Sequence, residues 1–95
     1  LDYPGVSPLH CFLKDTKRAR YTAASDEEAL EAYKLVTRFE KLRPSWEPSH
    51  AFAVAIKEAK KFSKDTIIVV DSCGDSHKDR IILRAKLGKK YDKFN

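Results

Sequence analysis

The 95-residue sequence has no methionine, one tryptophan, three glycines, four prolines and only two cysteines, Cys11 and Cys73. So little glycine and proline excludes collagen-like and low-complexity chains, and a hydrophobic fraction of 42% excludes a disordered one. Two distant cysteines neither staple a disulfide scaffold nor have the spacing of a zinc or redox pair, so two free thiols in a reducing compartment are expected. The longest apolar runs, Ile67–Val70 and Ile81–Leu83, fall far short of the ~20 residues that cross a bilayer, so no membrane contact is expected. No apolar segment follows a basic start, so no secretory signal is visible. Without an initiator methionine, the sequence reads as a processed product or an excised piece.

The charge that is present is unevenly placed. Residues 78–95 hold seven Lys/Arg (Lys78, Arg80, Arg84, Lys86, Lys89, Lys90, Lys93) against Asp79 and Asp92, which accounts for the whole net charge of +5. Tyr91 and Phe94 are interleaved with these cations, as aromatics are in binders of single-stranded nucleic acid. A solvated helix end explains the same pattern, because cations suit the negative end of a helix dipole.

Pro4-Gly5 is a turn pair, and Ser7 followed by Pro8 starts a short helix running to about Lys14. Arg20–Ala23 is short and β-prone. Ser25-Asp-Glu-Glu28 is a capping box, opening a helix with Ala29, Ala32, Tyr33, Val36 and Phe39 on one face and an end before Pro44. Ser49 suits the cap of a next helix, from His50 to about Phe62, with Phe52, Ala55, Ile56 and Ala59 as its apolar stripe. Ile67–Val70 is a continuous β-branched run, the pattern of a strand covered on both faces. A loop, Asp71-Ser-Cys-Gly-Asp-Ser76, leads to a helix from about His77 to Leu87, stopped by Gly88, and residues 89–95 are expected to fray. The alternation predicts one α/β domain over residues 1–95, a small three-layer piece with about two short parallel strands and four helices.

The strand–loop–helix unit at 67–80 is the best-placed generic ligand site, since open α/β sheets bind at the carboxyl ends of strands. An ordinary βα turn gives the same pattern, and no Gly-x-Gly-x-x-Gly or Walker A motif is present. His10, Cys11, His50, Cys73 and His77 lack metal-ligand spacing. Cys11 beside Phe12 reads as a buried small apolar residue. A nucleophilic Cys73–His77 pair is conceivable, but a structural or ligand-lining thiol fits as well. Glu47, between Trp46 and Pro48, either complements a helix start or points into a site.

Several segments, in order, resemble the tryptophan synthase β subunit family. Leu1-Asp-Tyr-Pro-Gly-Val-Ser-Pro-Leu-His10 is similar to that family's Leu-Asp-Tyr/Phe-Pro-x-Val-Gly-Pro-x-His, and Arg20–Ala32 to the stretch that follows it. Glu47-Pro-Ser-His-Ala51 resembles its Glu-Ser-Ser-His-Ala. Ile67–Asp79 resembles its Val-Val-Asn-Leu-Ser-Gly-Arg-Gly-Asp-Lys-Asp. The resemblance implies roughly the C-terminal quarter of a fold-type II pyridoxal-phosphate lyase that joins indole to L-serine, releasing water, to make L-tryptophan.

Carried over residue by residue, the resemblance makes Asp2 a substrate-side acid and gives the backbone carbonyls of Tyr3 and Gly5 to a monovalent cation. It puts Glu47 close to the cofactor ring and Cys73 in place of the serine that bonds the pyridine nitrogen, with Gly74 the glycine after it. Lys78 and Asp79 match the end of the motif. The sequence departs at Trp46 (Leu in the family), Pro48 (Ser) and Asp75-Ser-His77 (Arg-Gly-Asp). No lysine here matches the Schiff-base lysine, and no stretch matches the phosphate loop. The expectation is therefore a chain inactive by itself, partnered by the remainder of a β-like chain or an α-subunit-like protein, and cytoplasmic (or plastid). The alternative is a non-catalytic α/β binding module whose basic C-terminal helix contacts an anionic partner, nucleic acid or an acidic protein.

Overall fold

The computed structural model describes residues 4–93, with side chains through Tyr91. Helix α1 (Pro8–Asp15) starts where its cap is placed. The Ser7 hydroxyl accepts the His10 N–H, and Pro8 fills the first turn, where its lacking N–H leaves no bond unmade. Helix α2 (Asp26–Glu40) has both halves of its capping box: Ser25 Oγ accepts the Glu28 N–H at 3.2 Å and Glu28 accepts the Ser25 N–H at 2.8 Å. It ends as Lys41 turns left-handed at φ +58°, three residues before Pro44.

Helix α3 (Trp46–Ala59) begins at Trp46 and not at His50. Ser45 holds the cap position but makes no capping bond with its side chain. The cap comes from elsewhere in the chain: Asp79 Oδ2 accepts the Trp46 N–H at 2.7 Å. Pro48 fits inside the first turn, where a helix has no use for its N–H. Ser49 is thereby a residue within the helix, its hydroxyl donating to the Ser45 carbonyl at 2.8 Å. A 3-10 turn over Ser76–Asp79 leads into α4 (Arg80–Leu87), which Gly88 stops at a positive φ of 56°.

Ala29 and Tyr33 of α2, Trp46 of α3 and Leu83 and Leu87 of α4 share one apolar core with Tyr91. Tyr91 lies in a second 3-10 turn, Gly88–Lys93, and is only 4% exposed, so this part of the expected frayed tail is packed. Phe39, expected on the buried face of α2, is instead exposed, as are Cys11 and Phe12 on α1, which buries none of its residues.

The expected three-layer α/β piece with parallel strands is not what forms: among the described residues there is no strand and no sheet. The one β pairing is an isolated antiparallel bridge between Pro44 and Asp75. A strand exists only where a neighbour takes its N–H and C=O groups, and neither 20–23 nor 67–70 has such a neighbour. Both segments line one groove of about 460 Å3 floored by Ala51, Val54 and Ala55 of α3, and they do not pair across it. Ile67 and Val69 are each 88% exposed.

The surface is correspondingly large. The chain exposes 7611 Å2, against about 5,600 Å2 for a folded monomer of its mass. Its radius of gyration is 14.7 Å, against about 12.4 Å for a compact domain of this length, and its extents are 46 × 35 × 19 Å. These residues form a flat sheet of helices with one small core.

Candidate functional site

The segments carrying Glu47 and Cys73-Gly74 meet at the N-terminus of α3. Two backbone hydrogen bonds join them: Ser45 N–H donates to the Gly74 carbonyl at 2.9 Å, and Ser76 N–H to the Arg43 carbonyl at 2.9 Å. Gly74 packs closely against Ser45 there. A Cβ on it would lie 3.0 Å from Ser45 Oγ and 3.4 Å from Ser45 Cβ, and Ser45 is itself buried. Ser76, where the resembling family has glycine, is buried, and its hydroxyl lies 3.4 Å from the Tyr33 hydroxyl.

Electrostatics close the same junction. Lys78 Nζ donates to Glu47 Oε1 and Oε2 at 3.0 and 2.9 Å and to Asp79 Oδ1 at 2.8 Å. The Lys78 ammonium holds the Glu47 carboxyl below the usual glutamate range, against a smaller opposing effect of burial. Asp79, then Glu47, pushes the Lys78 ammonium above its ordinary range. Asp75, which reverses the charge of the family's arginine, is used locally, its carboxylate accepting the His77 N–H at 2.8 Å.

The expected site residues fall into two groups. Glu47, half-buried, and Cys73, an exposed free thiol, stand on this junction with Gly74. Asp2 and Tyr3 lie outside the described residues, and Gly5 is exposed with nothing packed beside its α-carbon. Among the described residues no group of His, Cys, Asp and Glu is placed to hold a metal ion. His10 bonds the Tyr21 hydroxyl at 2.8 Å, while His50 donates from Nδ1 to the Trp46 carbonyl at 2.8 Å. No described helix is long and apolar enough to cross a membrane.

Sequence reasoning missed the role of Asp79. Its signal is weak, a helix start at Ser45 that lacks its own capping bond, and only the fold supplies the partner. The basic segment also changes meaning. Lys78 pairs with Glu47 and Asp79, Lys86 reaches Asp26 at 3.0 Å and sits over the Trp46 ring, and Arg84 sits over Tyr91. Three of its cations are engaged inside the molecule, and Tyr91 is a core residue with no free face for stacking on a base.

No protein-family model matches the chain. Curated relatives do. The tryptophan synthase beta chain of Allorhizobium ampelinum is 48% identical over 88 residues, covering 93% of this chain and 22% of the relative. Those of Vesicomyosocius okutanii and Fusobacterium nucleatum are each 49% identical over 79 residues, covering 83% of this chain and 20% of the relative. The chain thus spans about a fifth of the length of the curated relatives it matches.

Proposed function

We propose, on the premise that the chain is homologous to a C-terminal stretch of the tryptophan synthase beta chain, that it forms one wall of a pyridoxal-phosphate site in tryptophan synthesis. The observation that carries this reading is the Ser45–Gly74 hydrogen bond at 2.9 Å, which joins the main chain leading into Glu47 to the Cys73-Gly74 loop. The donor set there suits the ring side of the cofactor. An exposed thiol offers a weak hydrogen bond to a ring nitrogen, and a half-buried carboxylate offers a fixed negative charge. The cofactor, when bound, supplies an electron sink for charge developing beside an amino group. Glu47 accepts hydrogen bonds as an anion, Cys73 orients the ring edge, and Gly74 lets the main chain pass close to Ser45. In the same reading Asp2 touches the substrate, and the carbonyls of Tyr3 and Gly5 take a monovalent cation.

The wall needs completing, because no residue here matches the Schiff-base lysine or the phosphate loop. The surface excess of about 2,000 Å2 supports this, since one side of an ordinary interface buries about 800 Å2 and obligate ones bury far more. The remainder of a beta-like chain is the partner of matching chemistry, with an alpha-subunit-like protein further out.

The test is reconstitution. The chain is co-expressed with the complementary four-fifths of a curated beta-chain relative, and cofactor uptake is read from visible absorbance and induced circular dichroism. Uptake by the complex, lost in Cys73→Phe, is expected. A stable complex that takes up no cofactor refutes the reading.

A further inference from the structure

Lys78 joins two parts of the proposed wall through its side chain. The two backbone hydrogen bonds set the main chains of 43–45 and 74–76. They do not by themselves set the Glu47 carboxylate, on which Lys78 acts most strongly and its own N–H and the Ser45 hydroxyl act more weakly. The ammonium of Lys78 has three N–H donors, and three oxygens lie within reach: both of Glu47 at 3.0 and 2.9 Å and Oδ1 of Asp79 at 2.8 Å. Asp79 is itself held, because its other oxygen accepts the N–H of Trp46, the residue preceding Glu47, at 2.7 Å. Asp79 and Glu47 therefore grip Lys78 from two sides, and Lys78 belongs to the same loop-and-turn segment as Cys73 and Gly74.

Stability alone does not account for this arrangement. The Lys78 side chain is 53% exposed, and exposed ion pairs contribute under about 1 kcal/mol. Its consequence is geometric: it ties both Glu47 oxygens to the Asp79 side.

We propose that Lys78 is a positioning residue, anchored on Asp79, that holds the Glu47 carboxylate in one orientation beside the Cys73-Gly74 loop. The functional meaning of this rests on the reading of that junction as a cofactor wall. Lys78 then acts on a bound ligand only through Glu47, presenting it as an oriented acceptor and never as a proton donor.

The experiment is carried out on the chain itself, without cofactor, using NMR of the Glu47 carboxyl carbon and side-chain order in the parent, Lys78→Met and Lys78→Arg forms. The parent carboxyl is expected to titrate below the ordinary glutamate value of about 4.3, with a rigid side chain. Lys78→Met moves the titration up toward that range and loosens the side chain. Lys78→Arg, which keeps the charge and several donors, restores both. Trp46 emission and the helical circular dichroism report that each form is folded. Should the Met form unfold, Glu47→Gln reads the same tie from its other end, as faster exchange of the Lys78 ammonium protons. A Met form that titrates like the parent, an Arg form that fails to restore order, or ammonium exchange unchanged in Glu47→Gln overturns the proposal. Because no cofactor is present, such a failure leaves the cofactor wall standing. Failed reconstitution with these signals intact overturns the wall and limits Lys78 to ordering Glu47.

Discussion

Removing the Asp79 carboxylate is expected to undo the start of α3. Asp79 is 5% exposed and serves two partners, the Trp46 N–H at 2.7 Å and the Lys78 ammonium at 2.8 Å. In Asp79→Ala the Trp46 N–H loses its acceptor in a place closed to water, since Trp46 is itself 5% exposed. Losing a helix cap costs about 1 kcal/mol, and losing a hydrogen bond to a charged group costs about 1.5–3 kcal/mol. These overlap, so the expected loss is about 2–3 kcal/mol. Asp79→Asn keeps a neutral acceptor for Trp46 but loses the charge and the tie to half-exposed Lys78, and is expected to cost less than the alanine form, about 1 kcal/mol. With a urea slope of about 1 kcal/mol/M for a small chain, the alanine form shifts its midpoint down by about 2–3 M and the asparagine form by about 1 M. Trp46 is the sole tryptophan and sits at the affected turn, so its fluorescence follows the transition directly. An alanine form within about 0.5 kcal/mol of the parent, or an asparagine form as damaged as the alanine form, refutes the assignment of Asp79 as the cap of α3.

Leu83→Ala, at 1% exposure in the core, is expected to cost about 2–5 kcal/mol in urea unfolding, whereas Ile81→Ala on the same helix, at 85% exposure, stays within about 0.5 kcal/mol. Gly74→Ala forces a Cβ to 3.0 Å from the buried Ser45 hydroxyl and is expected to cost about 1–3 kcal/mol, a loss that Ser45→Gly in the same chain partly reverses. Asp26, Glu28, Glu47 and Glu58 all have carboxyls held below their ordinary values, chiefly by Lys86, the Ser25 N–H, Lys78 and Lys61 respectively. A depressed carboxyl stabilises above its unfolded value and loses that contribution as pH falls through its folded one. Urea midpoints are therefore expected flat from about pH 7 to 5 and falling below about pH 4, and a midpoint that rises on acidification contradicts the pairings. Amide exchange is expected to be slow at Ser45, Trp46 and Ser76 and fast at Ile67–Val70, so uniform protection across the two sets disagrees with an unpaired 67–70 segment.

What the sequence announces locally, the fold keeps. Ser25 and Glu28 are three residues apart, and their capping box forms as expected. Ala29, Ala32, Tyr33 and Val36 repeat at helical spacing and are buried, and Pro44 and Gly88 mark real interruptions. What depends on distant partners is not legible in this way. Ser49 looks like a cap, but α3 starts earlier because Asp79 arrives from the other end of the chain. Tyr91 reads as part of a solvated tail until Leu83 and Leu87 are seen to pack against it. Of the candidate site, the resemblance offers Glu47, Cys73 and Gly74, and the fold brings their segments to one junction. The Lys78–Asp79 support is not legible in the sequence, because charge alternation in a turn looks the same whether or not a helix start lies opposite.

The failed strand expectation and the preserved junction have one physical origin. A run such as Ile67–Val70 states a requirement for cover on both faces, and periodicity alone says nothing about which residues provide it. Here α3 offers cover on one side of the groove, no described residue pairs along the edge, and Ile67 and Val69 remain 88% exposed. The junction between 43–47 and 74–79 has no such debt. The Trp46 N–H, the Lys78 ammonium and the Ser45 and Ser76 N–H groups all find acceptors within the chain. Polar geometry is therefore complete where the apolar surround is not. Polar contacts of this kind are directional and fix side chains in place, while apolar burial is non-directional and can be supplied by any surface of fitting shape. The hydrogen bonds at this junction therefore hold residues 43–47 and 74–79 together while Ile67 and Val69 stay uncovered.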